Sequence, residues 1–201
     1  MLFIISGPSG CGKTTLVKKV LDMDKDIRFA VSYTTRKKRK GEKEGEDYYF
    51  ISNNEFEGMV EEEKFVEWAV VHGHYYGTSK GEIEKKSLRM DLLLDIDIQG
   101  ALQIRMKMKK AVFVFIIPPG YQELKKRLII RGQNTSDELM ERLDAAKKEI
   151  RSYSQFDFIV INDNPEKAAR ELHAIVLSNR CQLQARQKEI ASIMRSFTEE
   201  D

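Results

Sequence analysis

One short stretch near the start of the chain combines residue types and a spacing that can hold phosphate. Residues 7–14 read GPSGCGKT and fit the pattern G-x-x-x-x-G-K-[ST]. An apolar run at residues 2–5 precedes the stretch and a helical pattern follows it, so the stretch joins a strand to a helix. In that context Lys13 can reach the β- and γ-phosphates of a nucleotide, and the Thr14 hydroxyl can ligate Mg²⁺. The alternative is a glycine-rich turn without a ligand. The candidate phosphate-binding residues are Gly7, Pro8, Ser9, Gly10, Cys11, Gly12, Lys13 and Thr14.

Basic residues recur in two further places where they could contact a phosphoryl group. Arg127 and Arg131 lie four residues apart, so they share one face of a predicted helix. Beside a phosphate-binding loop, such arginines are candidates to stabilise a phosphoryl group during transfer. Glu123 precedes Arg127 by four residues, which leaves a surface ion pair as the alternative. The basic run at residues 36–40 is open to three interpretations: a phosphate contact, a solvated turn or a nucleic-acid patch.

Two acidic residues end a predicted buried strand. Asp95 and Asp97 close the apolar run at residues 92–97, and the carboxyl edge of a parallel sheet is where α/β folds bind ligands. One of them can hold the water ligands of Mg²⁺, as a Walker-B acid does; a helix N-cap or an ion pair is the alternative. The histidines have no partners at metal-ligand spacing, and His72 and His74 are interpreted as strand residues without a role.

The elements that must position these residues alternate between strand and helix. Apolar runs at residues 2–5, 92–97, 111–117 and 158–161 are separated by helical patterns. This order predicts an α/β fold with a parallel sheet covered on both faces. Residues 33–78 are strand-rich and aromatic, and we expect them to form an insertion of antiparallel hairpins.

Local signals predict several smaller features. Residues 27–33 are expected to form one short strand. Asn53 or Asn54 can cap a short helix, and residues 135–138 form a capping box that opens another helix.

A final helix is predicted from Pro165 towards Phe197. Its apolar stripe consists of Leu172, Val176, Leu183, Ile190 and Ile193. This stripe fits packing on the chain's own core or, beyond Arg180, a contact between two copies of the chain.

Composition narrows the class of protein. The chain has 201 residues, 41% hydrophobic and 33% charged, which suits one globular domain with subdomains. A net charge of +2 gives no bulk electrostatic reason to bind nucleic acid or a membrane. Cys11 and Cys181 are interpreted as free thiols of a reducing compartment. The first apolar run lacks the basic region of a signal peptide, and no run is long enough to span a bilayer. We therefore expect a soluble cytoplasmic protein.

The phosphate-binding stretch is the first of many blocks that occur in order along residues 2–178. Further blocks are VSYTTR at 31–36, GEDY at 45–48, FVEW at 65–68, YYGT at 75–78 and LDIDIQG at 94–100. Together these blocks resemble the guanylate kinase family, far more specifically than the phosphate-binding stretch does alone. The tail after Arg180 carries none of this resemblance.

The resemblance implies a P-loop NTPase fold in three parts. A P-loop core comprises residues 1–32, 79–126 and 143–201; a GMP-binding insertion comprises residues 33–78; and a lid region comprises residues 127–142. The implied reaction is Mg²⁺-dependent transfer of the ATP γ-phosphoryl group to GMP, with dGMP as a second expected acceptor.

The resemblance also implies roles for individual residues. The implied residues of phosphoryl transfer are Lys13, Arg36, Arg127, Arg131 and Arg142. The implied guanine contacts are Ser32, Glu67, Thr78 and Asp97. The implied contacts of the GMP phosphate are Arg36, Arg39, Tyr48 and Tyr76. Asn162 is implied near the adenine of ATP. The P-loop pattern itself makes Thr14 the expected direct Mg²⁺ ligand, and the strand-end position of Asp95 makes it a candidate for a Mg²⁺ contact through water.

Two positions depart from the pattern of the family. Thr78 stands where serine is common, but the hydroxyl is kept, so we expect little change. Lys37 and Lys38 occupy a loop that often has proline before the second arginine, which bears on the assignment of Arg39.

The chemistry of the substrates agrees with these roles. Guanine presents N1–H and N2–H₂ donors beside an O6 acceptor, so the Glu67 carboxylate could accept both donors while Ser32 or Thr78 donates to O6. Adenine would leave a buried carboxylate unpaired, and such sites discriminate by roughly 10⁴ or more. The second pKa of a phosphomonoester is near about 6, so the attacking oxygen is ionised at neutral pH without a general base. Catalysis then comes from positioning and charge.

Three alternatives to this reading can be compared. Another nucleoside monophosphate kinase would not need the Glu67 and Ser32 pair. A non-catalytic guanylate-kinase-like module that binds a phosphopeptide typically lacks a working P-loop, whereas Lys13 and Thr14 are present here. A nucleic-acid-binding ATPase that uses residues 36–40 is disfavoured by the near-neutral net charge.

Overall fold

The structure, a computed structural model, describes residues 1–87, 90–130 and 136–198. The strands are β1 (Leu2–Ser6), β2 (Ile27–Phe29), β3 (Tyr33–Thr34), β4 (Tyr49–Phe50), β5 (Phe65–Val71), β6 (His74–Ser79), β7 (Asp91–Asp95), β8 (Val112–Ile117) and β9 (Phe158–Ile161). The α-helices are α1 (Lys13–Met23), α2 (Asn53–Glu61), α3 (Lys80–Ser87), α4 (Ile98–Lys107), α5 (Tyr121–Ile130), α6 (Ser136–Glu149), α7 (Pro165–Arg180) and α8 (Leu183–Thr198). A short 3-10 helix, Ile150–Gln155, follows α6.

A five-stranded parallel sheet forms the centre of the molecule, in the order β2-β7-β1-β8-β9. Strand β1 lies in the middle, where Ile4 is opposite Leu94 on one side and Phe113 on the other. The predicted α/β fold with a parallel sheet is therefore confirmed. The register brings the carboxyl ends of β1 and β7 to one edge of the sheet.

Both faces of this sheet are buried, which explains its continuous apolar runs. Successive side chains of β1 point to opposite faces, so Phe3 and Ile5 pack with α1 and α7, whereas Ile4 packs with Ala101 and Ile104 of α4. The two apolar layers fix the sheet edge from which the P-loop and Asp95 emerge.

A second sheet, in the order β4-β3-β6-β5, lies beside the central one. Strands β5 and β6 form the expected antiparallel hairpin, but β3 and β4 pair in parallel, so the prediction of hairpins throughout was wrong. The single strand expected at residues 27–33 was also wrong. Ile27–Phe29 joins the central sheet and Tyr33–Thr34 joins the second sheet, because the chain crosses between the sheets within residues 30–32.

Two helix boundaries differ from the sequence prediction. Ser52, not Asn53 or Asn54, caps α2: its hydroxyl accepts from the Glu55 N–H, and the Glu55 carboxylate accepts from the Ser52 N–H. A serine with glutamate three residues later forms a reciprocal capping box, which outcompetes the asparagines. The capping box predicted at residues 135–138 begins outside the described residues.

The single long final helix predicted from Pro165 is two helices, with a break at residues 181 and 182 between α7 and α8. In α7, Leu172 and Val176 are fully buried in the core. In α8, the apolar side chains are exposed: Leu183, Ile190, Ile193, Met194 and Phe197. Packing on the chain's own core therefore accounts for the stripe only before the break. No helix among the described residues is long and apolar enough to cross a membrane.

Candidate active site

The P-loop connects β1 to α1 through backbone conformations that favour glycine. Gly7 and Gly12 have φ angles of 147° and 96°. A Cβ atom at Gly7 would lie 2.1 Å from the Ile116 carbonyl oxygen, and one at Gly12 would lie 2.3 Å from Asn162 Nδ2. These contacts leave no room for a side chain, so the loop is shaped by its packing against β8 and against Asn162, the residue that follows β9.

Lys13 lies at the centre of this loop. Its Nζ donates a 2.7 Å hydrogen bond to the Gly7 carbonyl oxygen, which holds the ammonium group over the loop. Burial acts to lower the pKa of Lys13, but the negative charges of the Asp95 and Glu149 carboxylates act against burial, and the pKa of Lys13 is raised. Burial also raises the pKa of the Cys11 thiol, so the sulfur stays protonated at neutral pH. The loop therefore presents a lysine cation to the cleft.

Two oxygen donors predicted to serve a metal ion meet beside the loop. The hydroxyl of Thr14, in the first turn of α1, donates to Oδ2 of Asp95, the last residue of β7, at 3.0 Å. Mg²⁺ prefers hard oxygen ligands and usually takes one or two from the protein, with waters and substrate phosphates supplying the rest. A hydroxyl and a carboxylate at this distance fit that donor set, and the described residues contain no cluster of three or more acidic, histidine or cysteine ligands that would point to another kind of metal site.

Arg127 and Asn162 form hydrogen bonds that link the P-loop to the neighbouring elements. Asn162 is 2% exposed and its Nδ2 donates to the Cys11 carbonyl oxygen at 2.8 Å. Arg127 donates to the Asn162 carbonyl oxygen at 2.9 Å, to the Cys11 carbonyl oxygen at 3.4 Å and, through Nε, to Glu123. The ion pair between Glu123 and Arg127, which was the alternative to a phosphate-binding role, is therefore present, and Arg127 contacts the P-loop as well.

The other predicted lid arginines are placed differently. Arg142 lies on α6 and lines the cleft, whereas Arg131 lies outside the described residues. Facing Arg142 is the turn between β5 and β6, where His72 adopts a φ of 50°. Burial, and next the charge of Arg142, lower the pKa of His72. His72 therefore lies at a turn on the wall of the cleft, not in a strand as predicted.

At the far end of the cleft, a buried carboxylate is held by two hydroxyl groups. Glu67 is 2% exposed; the Thr78 hydroxyl donates to its Oε1 at 2.7 Å and lies 2.9 Å from the Ser32 hydroxyl. Burial, opposed by the Thr78 bond and reinforced by the Asp97 charge, raises the pKa of Glu67 to about 7. Asp97 is the N-cap of α4 and accepts from the Gly100 N–H, so its predicted N-cap alternative is realised while the side chain also lines the cleft.

Two tyrosines, Tyr48 and Tyr76, form a further wall of the cleft, and Arg36 contacts both of them. Arg36 donates to both carboxylate oxygens of Glu42 at 2.7 and 2.8 Å, and its Nε donates to the Tyr76 hydroxyl at 3.1 Å. Its guanidinium carbon also lies 5.1 Å from the centre of the Tyr48 ring. Burial acts to lower the pKa of Arg36, but the Glu42 bonds and Tyr76 raise it above its ordinary value. Arg39 lines the cleft beside these residues, and its backbone N–H donates to the Glu42 carboxylate.

Three residues at the site were missed by sequence reasoning. Glu42 accepts from the Arg36 guanidinium and from the backbone N–H of Arg39; an acidic residue three positions after Arg39 in a run of cations was the available signal. Gly100 packs under Glu67, since a Cβ atom there would lie 2.2 Å from Glu67 Oε2. Glu149 accepts from a P-loop N–H, and no local signal marks it because the contact spans 140 residues.

One cleft unites these groups. It is lined by P-loop residues, by the second sheet, by the ends of β7 and by α6; the predicted site residues among them are Gly7, Ser9, Lys13, Ser32, Arg39, Tyr48, Glu67, Tyr76, Asp95, Asp97 and Arg142. A P-loop at one end of the cleft and a buried polar site at the other are the features of a nucleotide-binding phosphotransferase of the P-loop class.

Comparison with known proteins identifies the family within that class. The guanylate kinase family model matches residues 1–179. A guanylate kinase of Geobacter metallireducens is 48% identical over 182 residues, covering 90% of each chain, and one of Legionella pneumophila (strain Lens) is 46% identical over 194 residues, covering 96% of this chain and 93% of its own. A crystal structure of guanylate kinase from Anaplasma phagocytophilum superposes with a TM-score of 0.76 at 31% identity, covering 90% of this chain and 87% of its own. The chain belongs to the guanylate kinase family.

Proposed function

We propose that this chain transfers the γ-phosphoryl group of ATP to GMP and releases ADP and GDP. The observation that carries the proposal is that one cleft joins the P-loop cation Lys13 to the buried carboxylate Glu67. The first group suits the phosphates of a donor nucleotide and the second suits the donor edge of guanine. Membership of the guanylate kinase family supports the same reaction.

Glu67 is proposed to select guanine. Its Oε1 already accepts from Thr78, so the carboxylate has a fixed orientation from which it can accept the guanine N1–H and N2–H₂ donors. Ser32 lines the cleft and can donate to O6, while Asp97 adds a second acceptor beside the base. Adenine, with an unprotonated N1, would leave a buried carboxylate without its partners.

The phosphate of GMP is proposed to lie against Arg36, Arg39, Tyr48 and Tyr76. A phosphate oxygen of GMP is the nucleophile, and it is largely ionised at neutral pH, so the reaction needs no general base. The oxygen attacks the γ-phosphorus in line; the new P–O bond forms as the bond to the ADP oxygen breaks, and ADP keeps that electron pair. Arg36 and Arg39 stabilise charge on the acceptor phosphate throughout.

The donor phosphates are proposed to bind the P-loop N–H groups and Lys13, with Arg127 and Arg142 at the transferred group and Asn162 near the adenine. Arg131 keeps the same expected role from sequence alone. Thr14 would ligate Mg²⁺ directly and Asp95 would contact it through water, because their oxygens meet at 3.0 Å. When bound, Mg²⁺ neutralises charge on the donor phosphates.

We also propose which regions of the chain bind GMP and close over the site. Residues 33–78 would bind GMP, residues 127–142 would act as a lid, and closure would exclude water from the phosphoryl group. We expect cytoplasmic localisation and no nucleic-acid partner. The apolar side chains of α8 are exposed, so a contact between two copies of the chain through this helix stays a prediction.

An acceptor assay tests the proposal. ADP production would be measured from ATP and Mg²⁺ with GMP, AMP, CMP or UMP as the only acceptor. We expect turnover with GMP and background rates with the others. Turnover with a different acceptor would keep the phosphotransferase and reject the guanine site. No turnover with any acceptor, from folded protein that binds nucleotide, would reject the reaction.

A further inference from the structure

A carboxylate occupies part of the P-loop. The backbone N–H of Ser9 donates to Glu149 Oε2 at 3.2 Å, and both residues line the cleft together with Lys13. The N–H groups of a P-loop are directed towards the place of a phosphate oxygen. Glu149 therefore puts a negatively charged oxygen on a donor that suits the substrate.

The two anions cannot share this donor. A phosphate oxygen on the Ser9 N–H would have to take the position of Glu149 Oε2, and two negative groups at hydrogen-bond distance from one N–H repel each other strongly in a partly enclosed cleft. The Lys13 ammonium would also be divided between them, because Glu149 is one of the charges that raise its pKa. Binding of donor phosphates must displace Glu149.

Glu149 is attached to an arginine proposed to act in phosphoryl transfer. It is the last residue of α6, and Arg142 lies seven residues, or two helical turns, before it on the same face. Both side chains line the cleft. Helix α6 packs on α5 through Leu143 and Ala146. Because Glu149 and Arg142 belong to the same helix, a shift of α6 as a unit would change the positions of both side chains.

We propose that Glu149 is a positioning residue that competes with the donor phosphates for the P-loop. Without nucleotide it holds α6 against the Ser9 N–H; when ATP or ADP binds, its release frees α6 to carry Arg142 to the phosphates. This inference rests on the proposed function only in that nucleotide phosphates bind the P-loop.

Binding of ADP to Glu149→Gln provides the test. Glutamine keeps an oxygen that can accept from the Ser9 N–H and removes only the charge, so the fold is expected to persist. Because a charged acceptor holds an N–H more strongly than a neutral one, the Kd for ADP should fall about five- to tenfold. Glu141→Gln is the matched control, since it removes the same charge from an exposed position of α6, and its Kd should stay within about twofold of the unmodified protein.

The outcomes separate a competing carboxylate from a structural one. A Kd for ADP that is unchanged or higher in folded Glu149→Gln overturns the inference, because a brace of the loop would weaken binding when altered. If the unmodified chain binds ADP and the variant does not tighten, only the inference fails; if the unmodified chain binds no ADP, the proposed function fails with it.

A measurement on the unmodified chain covers the case of a variant that does not fold. The ¹³C resonance of the Glu149 carboxylate should shift when inorganic pyrophosphate is added, while that of Glu141 should not. A Glu149 resonance that stays in place at saturating pyrophosphate contradicts its displacement.

Discussion

The two ends of the cleft are built from different materials. At the P-loop, eight consecutive residues shape a cradle from backbone groups, and neighbours such as Ile116 and Asn162 pack directly on its glycines. At the Glu67 end, side chains arrive from different strands and loops, and two of the charges have an internal partner: Glu67 has Thr78, and Arg36 has Glu42.

This difference predicts which end of the cleft governs phosphoryl transfer and which governs base selectivity. A backbone cradle tolerates any nucleotide that carries the right phosphates, since N–H groups do not distinguish bases. A site of paired side chains distinguishes bases because the wrong one leaves a buried charge without compensation. We therefore expect changes at the P-loop to remove chemistry and changes at the Glu67 end to alter the choice and affinity of the acceptor.

The largest effect is expected from Lys13→Ala. Loss of the P-loop cation removes stabilisation of charge in phosphoryl transfer, so kcat should fall on the order of 10³ or more, while GMP binding measured by calorimetry should persist. Lys188→Ala, at an exposed position of α8, is the control and should keep normal turnover. Loss of GMP binding in folded Lys13→Ala would contradict the division of the cleft into two ends.

Glu67→Gln should act on selectivity instead. The amide keeps the volume but replaces one acceptor oxygen by a donor, so the ratio of kcat/KM for GMP to that for AMP should fall by about 10². Thr78→Ser keeps the hydroxyl that donates to Glu67 and should leave the ratio nearly unchanged. A ratio that is the same in Glu67→Gln as in the unmodified chain would remove Glu67 from the base site.

The same difference explains which parts of the structure could be predicted from the sequence. The P-loop and the central sheet were predicted because contiguous patterns specify them: a spaced motif and continuous apolar runs. The break between α7 and α8 was not predicted, since the apolar stripe continues across it although the core ends near Asn179.

The acceptor end could be read only in part. Glu67 was found through resemblance to a family, not through spacing, because Glu67 lies on the second sheet and Asp97 follows a strand of the central sheet, so the two meet only in the folded chain. For Arg36, the basic run at residues 36–40 left three interpretations open, and only the resemblance chose among them. Glu42 and Gly100 were missed because neither residue type, at its position in the sequence, indicates a ligand contact. Glu42 holds the Arg36 side chain, and Gly100 makes room for that of Glu67.

Gly100→Ala is expected to have an intermediate effect on kcat/KM for GMP. The added Cβ would lie 2.2 Å from Glu67 Oε2, so the carboxylate must shift. Overpacking costs about 2 kcal/mol. Because the carboxylate relieves it by leaving the guanine-binding position, a cost of that size should appear in GMP recognition, so kcat/KM for GMP should fall about thirtyfold while KM for ATP stays constant. Gly81→Ala has open space around its Cβ position and serves as the control. Normal GMP kinetics in folded Gly100→Ala would show that the position of Glu67 does not depend on this glycine.

The smallest effect expected is a pH dependence confined to the Glu67 end. Guanine needs the ionised carboxylate, and the pKa of Glu67 in the free protein is raised to about 7, so the ionised fraction grows as pH rises from 6 to 8. The affinity for GMP should therefore increase over this interval, by at most about tenfold, whereas ADP affinity should lack this component.

The titration of GMP itself must be separated from that of Glu67. The GMP phosphate has its second pKa near about 6, so part of the rise in affinity would occur with any base site. Glu67→Gln retains the phosphate contribution and lacks the carboxylate, which makes the ratio of the two Kd values the informative quantity. We expect calorimetric titrations at pH 6, 7 and 8 to give a ratio that widens with pH. A constant ratio would mean that Glu67 is already ionised at pH 6 or does not contact guanine, and the selectivity ratio of Glu67→Gln distinguishes those two cases.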